Sequence, residues 1–83
     1  MGASDLEVIL AAVGIMADEL TRPTPLNDIQ FCLRVDFKYK KITESKILKT
    51  LEKAEKLELC KRKGDAWQLT NKGKIKADNF LKY

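Results

Sequence analysis

The side chains in this 83-residue chain best suited to binding chemistry are cationic, and they are evenly spaced. Lys46, Lys49, Thr50, Lys53 and Lys56 stand at i, i+3, i+4, i+7 and i+10, which places them on one stripe of an α-helix. Lys40 and Lys41 precede that stripe, and Lys61, Arg62 and Lys63 follow it. Ammonium and guanidinium groups in such a series neutralise phosphates. The short hydroxyls of Ser45 and Thr50, with Thr43 at the head of the segment, add groups that reach phosphates or base edges. The competing reading is a solvated helix face laced with i to i+4 ion pairs. It is weakened here because the stripe itself contains no acid, Glu52 and Glu55 falling elsewhere on the helix.

The charge distribution points the same way. Residues 1–33 hold one base against five acids, a balance of −4, while residues 34–83 hold 15 bases against 7 acids, a balance of +8. A basic half on a small domain is the electrostatic footprint of a polyanion partner.

Other chemistries lack their residues. The chain has no histidine, the commonest metal ligand and general base. Cys32 and Cys60 are too few and too far apart for a zinc motif and are expected to be buried, reduced and structural. No glycine-rich phosphate loop or nucleophile elbow is present. The paired carboxylates Asp5 with Glu7, and Glu52 with Glu55, belong to a helix start and a solvated helix face. The chain is therefore expected to be neither an enzyme nor a metal or cofactor protein. The apolar run Val8–Ala17 is too short to span a bilayer and its flanks are acidic, so no membrane or signal segment is expected and a cytoplasmic location is.

The elements that must position the cations follow from periodicity. Helix 1 is expected to start at Ser4, which has capping-box spacing to Glu7, and to end near Leu20 before Arg22-Pro23 and Thr24-Pro25. Its stripe of Leu6, Ile9, Leu10, Val13, Met16, Ala17 and Leu20 is widened by Val8, Ala12 and Ile15. A helix apolar on so many sides needs cover from several directions, and a second subunit is the expected source. Helix 2 is expected to take Thr24 as its cap and Pro25 as its first residue. Residues 36–41 read as the end of helix 2 and a basic linker, with Tyr39 set among Lys38, Lys40 and Lys41. Helix 3 is expected from Glu44 to about Leu57, capped by Thr43, with Ile47, Leu51 and Ala54 inward. Leu59–Lys63 and Ala66–Thr70 read as a hairpin around a Gly64-Asp65 type II′ turn. That turn sets Arg62 opposite Trp67 and Cys60 opposite Leu69. Trp67 is expected in the core, with a base-stacking platform as the alternative, and Arg62 is expected to contact DNA, with simple stacking on Trp67 as the competing and compatible reading. Asn71 is the expected cap of a last helix ending at Phe80 or Leu81.

Leu51, Glu52, Lys53, Leu57 and Leu59, then Lys61, Arg62 and Lys63, then Leu69, Thr70, Gly73 and Lys74 carry a resemblance. The order resembles the second half of a winged helix-turn-helix domain: a recognition helix ending in Leu-Glu-Lys-x-x-x-Leu-x-Leu, a wing, and a closing Leu-Thr-x-x-Gly-Lys. It covers about two thirds of the chain. The resemblance implies one α+β domain over residues 1–83, with three helices, a two-stranded β-wing and a C-terminal helix. It implies duplex DNA binding as a small transcriptional regulator, helix 3 in the major groove and the wing on the backbone or in the minor groove. It also implies a homodimer, with Leu10, Ile15, Ile75 and Phe80 as the candidate interface. Two departures stand out. The linker before helix 3 is longer than the turn of a tight helix-turn-helix. Glu58 stands where the family usually has glycine, and a left-handed backbone there is expected to cost about 1 kcal/mol. The alternatives in other classes are a winged-helix protein-interaction module and a sequence-neutral architectural DNA binder.

Overall fold

The computed structural model describes residues 5–20 and 22–81. Among them run α1 (Asp5–Leu20), β1 (Thr24–Pro25), α2 (Leu26–Val35), α3 (Glu44–Lys56), β2 (Cys60–Lys63), β3 (Ala66–Leu69) and α4 (Asn71–Leu81). The class is α+β. Ser4, the expected cap of the first helix, lies outside the described residues.

α1 is the central element. Val8, Ile9, Leu10, Ala11, Ala12 and Val13 are all buried, because α1 packs against α2, α3, α4 and β3. The cover that its wide apolar surface requires thus comes from the same chain. The expectation that a second subunit supplies it is corrected at this helix: with α4 on one side and α2 and α3 on others, Leu10 is 0% exposed in the monomer and has nothing to offer a partner. Ile29, Cys32 and Leu33 of α2, Ile47, Leu51 and Ala54 of α3, and Leu59, Trp67, Leu69 and Ala77 complete the core. Each large aliphatic side chain so buried contributes roughly 1.5–3 kcal/mol.

The sheet has three strands in the order β1-β3-β2, all antiparallel, not the two of the expected wing. The added strand is Thr24–Pro25, paired Thr24 to Trp67 and Pro25 to Ala66. Thr24 is consequently not the cap of α2. Its backbone is extended in the sheet, and its hydroxyl, fully buried, donates to the Val13 carbonyl of α1 at 3.1 Å. Pro25 takes the N-cap position with φ −66° and no side-chain bond.

The hairpin has the expected register, Cys60 to Leu69 and Arg62 to Trp67. Gly64 has φ +64° and Asp65 is not among the positive-φ residues, which is the φ signature of a II′ turn. Cys60, Trp67 and Leu69 face inward; Lys61, Lys63 and Gln68 face solvent. The Cys60 thiol donates to the Leu51 carbonyl of α3 at 3.6 Å. Burial first, and the Glu55 carboxylate second, push that thiol up to about 11, so at neutral pH it stays a neutral donor locking β2 to α3.

Candidate nucleic-acid interface

α3 is fixed at both ends by its own residues. Thr43 accepts the Lys46 N–H at 3.2 Å and so satisfies one orphan donor. At the other end the Glu58 N–H donates to Glu55 O and the Leu59 N–H to Ala54 O, the bond pair of a Schellman motif. Glu58 occupies its left-handed position with φ +62°. Leu59 then turns inward to the core and carries the chain into β2.

With Ile47, Leu51 and Ala54 anchored, the rest of the helix surface divides in two. At 100° per residue, Lys46, Lys49, Lys53 and Lys56 fall on one flank, and Glu44, Leu48, Glu52 and Glu55 on the other. All four lysines are exposed, as is Ser45. Thr50 is half-buried on the side toward α1, and its hydroxyl donates to the Lys46 carbonyl at 2.9 Å. It retains only acceptor capacity, which narrows its use as a base-edge contact. Thr43 is exposed, but its oxygen is already engaged as the helix cap.

The basic linker is ordered against the same end of the molecule. The Tyr39 N–H donates to Leu33 O and the Ile42 N–H to Tyr39 O. Gln30 and Arg34 of α2 both donate to the Ile42 carbonyl, at 3.2 and 3.5 Å. Lys38 makes the turn in a left-handed conformation, φ +64°. Tyr39 packs half-buried on the core and anchors the loop. Phe37 reaches across to Phe80 of α4, ring centroids 6.3 Å apart. The longer linker is therefore a tethered loop.

Two shallow surface grooves adjoin at the start of α1. One is lined by Asp5, Lys38, Tyr39, Lys40, Lys41, Ile42 and Lys46. The other is lined by Asp5, Leu6, Lys46, Lys49, Thr50 and Lys53. Asp5 and Lys46 line both, joined by an ion pair of 3.0 Å. The fold thus unites the linker lysines with the α3 lysines on one surface. It also adds two residues that the periodicity did not single out. Lys38 joins Lys40 and Lys41. Asp5 brings an acid to a stripe that has none of its own; nothing local to α3 signals this, since the two residues are 41 positions apart.

On the ribbon, the Arg62 guanidinium lies 5.3 Å from the Trp67 ring centroid, and its Nε donates to the Gly64 carbonyl at 2.9 Å. Stacking and hydrogen bond hold the planar fork in place while the residue stays exposed. Trp67 itself is buried under this cation. Lys61 and Lys63 project from the opposite, solvent face.

Of the other surface residues singled out in the sequence, Ile75 is 63% exposed, while Ile15 and Phe80 are half-buried against the monomer core. Among the described residues no helix is long and apolar enough to cross a membrane. Comparisons with protein-family models, curated proteins and solved structures return no match.

Proposed function

We propose that the chain binds duplex DNA in the manner of a small winged-helix regulator. In this reading α3 enters the major groove, while the β2–β3 ribbon lies on the backbone or in the minor groove. The observation that carries the reading is the shared surface of the two adjoining grooves. Lys38, Lys40 and Lys41 from the linker meet Lys46, Lys49 and Lys53 from α3 there. A duplex presents one negative charge per roughly 1.7 Å of axis, and a cationic surface built from a loop and a helix follows such a line of charge better than a point-like anion. The ribbon adds Arg62 as a held, planar donor, which suits a narrow minor groove.

Binding is expected to be dominated by phosphate contacts. Lysines outnumber arginines on this surface, and Thr50 has its proton engaged, so much of the affinity is shared with random sequence, as in an architectural binder. The dimer that accompanies this reading would join through α4, where Ile75 and Leu81 are 63% and 47% exposed.

The test is duplex affinity at several salt concentrations. Wild-type protein should show a linear fall of log K with log salt. Lys49→Ala should weaken all duplexes and flatten the slope by about 0.9, the share of one phosphate. Glu55→Ala, on the acidic flank, should change little. No binding to any duplex at low salt would remove the DNA reading and promote a protein-interaction module. That second reading is favoured by one observation: Phe31 and Val35 project side by side from the outer face of α2, 61% and 48% exposed.

A further inference from the structure

The Asp5–Lys46 pair joins the first turn of α1 to the first turn of α3. Both side chains are about half exposed, 45% and 55% respectively. An ion pair so open to water contributes little to folding, and the helix-end preference for an acid accounts for Asp5 in the first turn of α1 but not for its pairing with Lys46. Its position is more telling. Among the described residues Asp5 is the single acid lining either groove; besides Lys46, the other charged lining residues are Lys38, Lys40, Lys41, Lys49 and Lys53. A carboxylate oxygen and a phosphate oxygen are the same kind of acceptor for an ammonium group. They compete for the Lys46 Nζ.

We propose that Asp5 acts as an internal phosphate mimic that holds Lys46 until DNA displaces it, and so restrains binding to arbitrary sequence. This rests on the DNA reading given above. A duplex that seats α3 well enough to bring a phosphate against Lys46 exchanges one acceptor for another. A duplex held loosely by the remaining lysines leaves the pair intact and faces the Asp5 charge as well. Asp5 is thus a specificity-determining residue that lowers backbone affinity without touching a base. An exposed pair of this kind limits the effect to about fivefold in affinity.

The experiment measures binding of a random-sequence duplex over a salt series, for wild type, Asp5→Asn, Lys46→Met, the double variant and Asp18→Asn. Asparagine keeps the size of Asp5 and its hydrogen-bonding capacity at the helix start. Asp18 lies at the far end of α1, about 20 Å along its axis, and its neutralisation changes net charge equally. Asp5→Asn should bind up to about fivefold tighter than wild type, with a salt slope steeper by about 0.9 as Lys46 takes a phosphate. Asp18→Asn should match wild type. In the Lys46→Met background Asp5→Asn should gain less affinity than in the wild type and leave the salt slope unchanged, because no lysine is released.

A wild type that binds with salt dependence, beside an Asp5→Asn protein identical to it, overturns the mimic and leaves the DNA reading standing. A gain that Asp18→Asn reproduces, or that persists in full with its steeper slope in the Lys46→Met background, also overturns it, because the effect would then be charge alone. Absence of binding by both wild type and Asp5→Asn removes the DNA reading and the inference together.

Discussion

Gly73 has no side chain because there is no room for one. A Cβ built there would lie 1.9 Å from the Leu59 carbonyl oxygen, a backbone atom that cannot swing aside. The neighbouring Thr70 explains why the approach is so close. Its hydroxyl donates to the Glu58 carbonyl at 2.6 Å and accepts the Gly73 N–H at 3.1 Å, while its own N–H donates to Leu59 O. Thr70, not Asn71, is therefore the residue that caps α4; Asn71 is already the first helical residue. One threonine ties the end of α3 to the start of α4, and the glycine three residues on lets the two backbones touch. Gly73→Ala should destabilise the fold by about 2–3 kcal/mol by chemical denaturation, since overpacking against backbone outweighs the roughly 1 kcal/mol of helix propensity that alanine adds. A gain in stability would show that α4 can shift away from Leu59. Glu58 tells the opposite story. It stands at φ +62° with a Cβ that disfavours that region, so Glu58→Gly should stabilise by up to about 0.6 kcal/mol, net of glycine's larger unfolded-state entropy. A loss in the same measurement would mean that the carboxylate makes a compensating contribution.

The sheet and α3 show how far a single element can be read on its own. The hairpin register follows from the two-residue turn and alternation, and it puts Trp67 under Arg62 and beside the core. Trp67 also pairs through its backbone with Thr24 in β1, so it sits at the centre of three strands and not on an outer wing. Trp67→Ala should cost about 3–5 kcal/mol. A change below about 1 kcal/mol would place the indole on the surface and revive a base-stacking role for it. β1 was invisible in sequence because two residues cannot alternate, and Thr-Pro ahead of an apolar run reads as a helix start. Its strand character exists only because the free edge of β3 and the Val13 carbonyl lie beside it.

At the level of the whole molecule, α1 decides the architecture. Its broad apolar surface reads in isolation as a request for a partner, yet α2, α3, α4 and β3 of the same chain surround it. What remains for a dimer is α4, with Ile75 and Leu81 outward. Sedimentation equilibrium at micromolar concentration should give twice the 9.5 kDa chain mass, with Ile75→Asp reducing it to one. A wild-type mass of 9.5 kDa would dismiss the dimer. The sequence alone determined the four helices, the hairpin with its register, the α3 cap, the inward set of α3 and the placement of Trp67 in the core. These depend on periods, caps and turn chemistry that act over a few residues. Tertiary structure decided the third strand, the burial of Val8–Val13 of α1 within the same chain, the double role of Thr70 and the union of the linker lysines with α3. It also decided that Asp5, remote in sequence, would neutralise Lys46. Such pairings depend on where separate elements come to rest against one another, and no local spacing encodes that.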